Sequence, residues 1–150
     1  MEILSGTVLI CLAAVAAWID IQKMILPNWL NIVVLVSGLI QSAILGTPGL
    51  TASLVGVLVG ASALGAISTL YRSQRGFDGL GLGDVKFVAA SGAWLGWAAI
   101  APMLLVASVL GLAFACGRAL LAWRFDRQAP IPFGPFLAVG MLAGRYFPIL

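Results

Sequence analysis

A chain of 150 residues that is 62% apolar and 9% charged cannot coat a water-facing surface, because a soluble domain carries roughly 25% charged and about 45–50% apolar residues. Lipid must therefore be the main solvent of this chain. A net charge of +3 from eight Lys/Arg and five Asp/Glu is too sparse for nucleic-acid binding, and the absence of histidine excludes a Ser-His-Asp triad and a histidine-bound metal.

Six spanning helices of about 17–25 residues are predicted at roughly 3–19, 29–45, 50–71, 85–100, 103–123 and 134–150. Together they make an all-α polytopic membrane bundle, one domain over 1–150. Glu2 stands where a cleavable signal would carry Lys or Arg, so the first stretch is a retained helix. The second opens at Pro27-Asn28, with Asn28 as candidate cap, and ends at Gly46-Thr47-Pro48-Gly49, a strong turn signal. The fourth follows the glycine-rich run Gly79-Leu80-Gly81-Leu82-Gly83. Only Pro102 and small residues separate it from the fifth, and the sixth follows Pro132. The pairs Gly56/Gly60, Gly92/Gly96 and Gly140/Gly144 have the GxxxG spacing that lets helix backbones approach in lipid. With six helices to pack, internal packing is favoured over a dimerisation face. Cys11 and Cys116 form no CxxC pair and read as small, buried helix-packing residues.

If the helices alternate, Lys23, Arg72, Arg75, Lys86, Arg118, Arg124 and Arg127 fall on one side, with Arg145 alone near the other. The positive-inside rule then puts both termini outside and the charged loops in the cytoplasm. Trp18, Trp29, Tyr71 and Trp123 fall near the inner interface and Trp97 and Tyr146 near the outer one, where aromatic belts are expected. Trp94 falls about a turn deeper.

Glu2 and Asp126 read as solvated charges, and Asp78 as a balance to Arg75 or an attractor of a basic substrate segment. Asp20 ends the first helix and Asp84 opens the fourth, so alternation brings both to one end of the bundle. Two close carboxylates cannot both ionise cheaply, and one proton is shared. The ionised member takes a proton from water as it attacks a carbonyl, and the protonated member donates to the carbonyl oxygen. Such chemistry needs no metal and no cofactor. Gly81 and Gly83 keep side chains away from the reacting position and permit unusual backbone angles. Each Asp alone also reads as an ordinary helix-end polar residue. A rival function is a small proton- or cation-coupled transporter using the same acids as ion sites. It would call for charges near mid-bilayer, broken helices and repeated halves, none of which the sequence shows. An inactive scaffold of a secretion complex is a further alternative.

The segment Asp20 to Pro27-Asn28 and on to Asn31 resembles the first aspartate segment of type IV prepilin peptidases. Gly79-Leu80-Gly81-Leu82-Gly83-Asp84-Val85-Lys86 is similar to their GxGD segment, and Gly92-Ala93-Trp94-Leu95-Gly96-Trp97 continues the likeness. Pro132-Phe133-Gly134-Pro135 resembles their third signature, at the start of the last helix. The resemblance implies a bacterial inner-membrane aspartic endopeptidase, multi-pass, with its site at the cytoplasmic face. It would cut the basic leader from type IV pilin or pseudopilin precursors, in company with pilus or secretion machinery. Asp20 and Asp84 map onto its catalytic pair. Relatives with a cysteine cluster also methylate the new N-terminus. No such cluster is present here, so peptidase activity alone is expected. Around the pair, Pro27 and Asn28 shape the site, while Lys86 meets lipid phosphates or substrate. Lys23 either acts on Asp20 or snorkels to phosphate. The Pro132–Pro135 segment is either a plain loop or offers free backbone groups to an extended substrate, as in strand addition.

Overall fold

The computed structural model describes residues 2–75, 81–122 and 132–147. Six helices occupy the described residues: α1 (Glu2–Lys23), α2 (Asn28–Leu45), α3 (Leu50–Arg75), α4 (Leu82–Leu95), α5 (Ile100–Ala122) and α6 (Gly134–Tyr146). The all-α expectation holds. Four of the helices are long and apolar enough to cross a membrane, over Ile3–Lys23, Asn28–Leu45, Leu50–Tyr71 and Ile100–Leu120. α4 and α6, at 14 and 13 residues, are only about 20 Å long.

The helices form two groups. α4 packs on α2 and α3, whereas α6 packs on α5 and α1. Glycines set the closeness of these contacts. A Cβ at Gly56 would stand 2.5 Å from the Gly92 carbonyl oxygen, and one at Gly60 2.8 Å from that of Val88. Gly140 similarly lies against Met103 and Ala107. The small-residue spacings thus serve packing within the chain, where direct backbone approach replaces the hydrophobic drive that lipid removes. Trp94 plugs the α2–α4 contact: it is 2% exposed, and its indole N–H donates to the Val34 carbonyl at 2.9 Å. Ser53 donates across the α3–α4 contact to the Ala93 carbonyl at 2.8 Å.

These contacts set the directions. α2 and α4 run parallel, with Asn28 beside Lys86 and Val34 beside Trp94. α3 runs against them, with Gly56 at Gly92 and Gly60 at Val88. In this register α3 reaches the level of Asp84 near Leu64 and continues to Arg75, about 16 Å further along its axis. At the other end of the bundle Gly6, Thr47, Arg145 and Tyr146 line one pocket, as alternation requires.

Three expectations are corrected. Asp20 does not end its helix: α1 continues through Lys23, and Met24 closes it with φ +52, its N–H donating to the Asp20 carbonyl at 2.7 Å. The α4–α5 break falls at Gly96–Ala99 instead of Pro102, because Gly96 takes a positive φ of 74. Pro102 is then accommodated in the first turn of α5, where its missing N–H costs nothing. Cys11 and Cys116 are exposed on the outside of the bundle; in lipid the outer face is as apolar as the core, so an apolar residue carries no signal of burial. Asp78, Gly79, Trp123, Arg124, Asp126 and Arg127 lie outside the described residues.

Candidate active site

The last turn of α1, the α1–α2 connection and the start of α4 enclose a pocket of ≈ 210 Å³. Asp20, Met24, Leu26, Gly81, Gly83 and Asp84 are among its walls. Asp20 comes from the α1–α5–α6 group and Asp84 from the α2–α3–α4 group, so the pocket sits on the seam between them. Alternation of the helices is what unites the pair.

Asp20 is 4% exposed and accepts a hydrogen bond from the Gly134 N–H at 2.7 Å on Oδ2. Gly134 is the first residue of α6, whose opening N–H groups have no partner inside the helix. A carboxylate there also meets the positive end of the helix dipole. Only glycine fits: a Cβ at position 134 would stand 2.7 Å from the Asp20 Cβ, Cγ and Oδ2 atoms.

Asp84 is half-buried in the first turn of α4, outside the four membrane-spanning segments. Its backbone N–H donates to the Gly81 carbonyl at 3.0 Å. Burial, and secondarily the Asp20 carboxylate, push its carboxyl up to about 7. Gly81 and Gly83 leave space here, and the expectation of unusual backbone angles is corrected. Gly81 has an ordinary φ of −61, and Gly83 is not among the glycines with positive φ. A Cβ at Gly81 would approach Asp84 Oδ2 at 3.3 Å, and one at Gly83 would press on Leu26 at 3.1–3.3 Å.

The remaining predicted residues fall into place around this pair. Pro27, not Asn28, is the N-cap of α2, and no side chain caps that helix. Asn28 instead accepts a hydrogen bond from Lys86 Nζ at 2.8 Å, which ties the start of α2 to α4 beside the pocket. Phe133 is the N-cap of α6, and Pro135 lies in its first turn. Pro132 is half-buried just ahead. Strand addition along this segment is thereby overturned from Phe133 onward: the Gly134 N–H is engaged by Asp20, Pro135 has none, and the backbone has turned helical. Lys23 is exposed in the last turn of α1.

Two site residues carried no role in the sequence reading. Met24 makes the left-handed turn that swings the chain from Asp20 toward Leu26. Asn31 is 5% exposed and donates from Nδ2 to the Gly83 carbonyl at 3.4 Å, next to Asp84. Its position three residues after Asn28, on the same helix face, was the available signal.

The fold and the paired carboxylates define a polytopic helical membrane protein built around an acidic dyad. Residues 7–116 match the type IV leader peptidase family, and the chain belongs to that family. It is 38% identical over 122 residues to a prepilin leader peptidase/N-methyltransferase of Aeromonas salmonicida (strain A449), covering 81% of this chain and 42% of that protein. A protein of the same description from Burkholderia pseudomallei (strain K96243) is 38% identical over 141 residues, covering 92% of this chain and 45% of that one. A third, from Pectobacterium carotovorum subsp. carotovorum, is 33% identical over 148 residues, covering 96% and 51%. The chain thus spans about half the length of these relatives. No solved structure matches.

Proposed function

We propose that this protein is an aspartic endopeptidase of the bacterial inner membrane that removes the basic leader from type IV pilin or pseudopilin precursors at the cytoplasmic face. The observation that carries the reading is the pocket shared by Asp20 and Asp84, each delivered by a different helix group. The family and its relatives' names support the substrate class. Lys23 in the last turn of α1 and Lys86 in the first turns of α4, with Arg145 at the other end, support the cytoplasmic orientation. We assign peptidase chemistry alone to these residues.

In this mechanism Asp20, which receives the Gly134 N–H, is the ionised member. It takes a proton from a water held between the carboxyls as the water oxygen bonds to the scissile carbonyl carbon. Asp84, with its carboxyl near 7, is the protonated member and donates to the carbonyl oxygen as the tetrahedral intermediate forms. Collapse of that intermediate breaks the C–N bond. The proton gained by Asp20 passes to the leaving amine, and Asp84 recovers its own.

The test is incubation of membranes holding the protein with candidate prepilins, read by mass spectrometry for the new N-terminus. Asp20→Asn and Asp84→Asn should each stop processing while the protein remains inserted. Full processing by both variants would overturn the mechanism.

A further inference from the structure

α2 and α3 both rest on α4 but touch each other little, and between them lies a groove of ≈ 390 Å³. Ala89 and Ala90 of α4 form its floor, Ile32 and Leu35 of α2 one wall, and Val57 of α3 the other. Lys86 and Asn28 stand toward the site end, and Asn31 lies among the lining residues. This groove is separate from the dyad pocket, but the two adjoin. Asn31, which lines the groove, is hydrogen-bonded to Gly83, which lines the pocket.

The lining contains one anomaly. Asn31 Oδ1 is buried and has no hydrogen-bond partner. A buried acceptor left unpaired is costly and calls for a donor. The backbone of a helix that lies in lipid has donors to offer at one place only, the N–H groups of its first turn, which lack intrahelical partners. Asparagine is among the favoured acceptors for such groups.

We propose that the groove receives the first turns of the substrate's apolar helix, the part that stays in the membrane after cleavage, and that Asn31 Oδ1 caps that helix from outside. This rests on the peptidase reading and extends it to the residues that follow the cut bond. The same Asn31 amide then holds the Gly83 peptide beside Asp84 through Nδ2 and the substrate helix through Oδ1. Docking and alignment of the scissile bond are joined in one side chain. A phospholipid fits less well. Its acyl chain would fill the apolar part but carries no donor for Oδ1.

Disulfide cross-linking tests the occupant. The protein is prepared with Cys11 and Cys116, both exposed, changed to Ser, and with Asp84→Asn so that bound prepilin persists. One cysteine is introduced by Leu35→Cys, Val57→Cys or, as control, Leu112→Cys on α5. Prepilins carry single cysteines through the first two turns of the apolar segment. Cross-links at 35 and 57, with a helical period along the substrate and at least about ten-fold above those at 112, support the groove. Equal capture at 112, or none at 35 and 57 although the unmodified protein cleaves the same prepilin, overturns the groove and leaves the peptidase reading standing. Absence of cleavage by the unmodified protein shows failure of the peptidase reading itself and removes the proposed occupant with it.

Kinetics test the cap. Asn31→Leu should raise KM about ten-fold, the worth of one neutral hydrogen bond. Asn31→Asp, which keeps an acceptor and loses the donor to Gly83, should hold KM within about three-fold of the unmodified protein, and its added carboxyl beside Asp84 should show in the pH profile of kcat instead of in KM. Equal KM in the two variants would reduce Asn31 to a structural tether and overturn the cap. Ala89→Leu, which fills the floor, should raise KM with little change in kcat. An unchanged KM there would point to lipid as the occupant and overturn the proposal.

Discussion

Asp20 and Asp84 bring the same side chain to the same pocket in different settings. Asp20 sits in the last turn of a 22-residue helix and is met by the opening N–H of another helix, 114 residues away in the chain. Asp84 sits in the first turn of a 14-residue helix, with glycines at positions 81 and 83 just ahead of it. The start of α4 favours a carboxylate by about 0.3–1 kcal/mol, which is less than one pKa unit. The rise of Asp84 from 3.8 to about 7 means that burial and the neighbouring charge outweigh it. The proposed division of roles thus rests on the Gly134 N–H that meets Asp20 and on the raised carboxyl of Asp84.

The largest effects should come from removing either acid. Asp20→Asn and Asp84→Asn are each expected to lower prepilin cleavage by about 10²–10⁴-fold, the range for a positioned acid or base, measured by mass spectrometry on membranes with equal protein content. Unequal roles then predict unequal sensitivity to crowding. Gly134→Ala places a methyl 2.7 Å from the Asp20 carboxyl and should cost about 10²-fold in kcat, as expected for a misplaced reacting group. Gly81→Ala, at 3.3 Å from Asp84 Oδ2, should cost about ten-fold or less. A reversal of that order would sink the assignment of Gly134 as the fixed donor.

The pH dependence separates the acids next. Asp84 must be protonated to donate, so kcat/KM should fall above about 7, approaching ten-fold per pH unit. Stability follows the same sign. Between 3.8 and about 7 the folded protein holds a proton at Asp84 that the unfolded chain has released, so stability declines as pH rises through that window. Thermal unfolding in detergent at pH 5 and pH 8 checks this, and Asp84→Asn should flatten the difference. The smallest effect is expected at the tie between α2 and α4. Lys86→Met removes an exposed 2.8 Å hydrogen bond to Asn28 and should cost about 1 kcal/mol or less in detergent unfolding.

Much of this arrangement is legible in the sequence. Composition and the Gly/Pro breaks locate the helices, and alternation alone brings Asp20 and Asp84 to one end. The glycine spacings predict close packing within the chain, and the α3–α4 contact is where Gly56, Gly60 and Gly92 provide it. What could not be read depends on long-range contacts or on features that lipid hides. Nothing near Gly134 in the sequence says that its N–H meets Asp20. Ile21-Gln22-Lys23 continue α1 past a charged residue because the Asp20 carboxyl finds its donor in α6 and not in a local cap. Pro102 looks like a breaker, but Gly96 had already ended α4 a few residues earlier. Cys11 and Cys116 look buried by composition alone and face outward.

The unequal lengths of α3 and α4 have a further consequence. Because α3 runs about 16 Å past the level of Asp84, the dyad lies well below the tip of α3. An extended chain covers about 3.3 Å per residue, so roughly five residues are needed to climb from the cut bond to that tip. On the proposed peptidase reading the bundle then acts as a ruler. Leaders trimmed below about five residues should lose their hold on whatever grips them above the rim, and turnover of a truncation series should step down at that length.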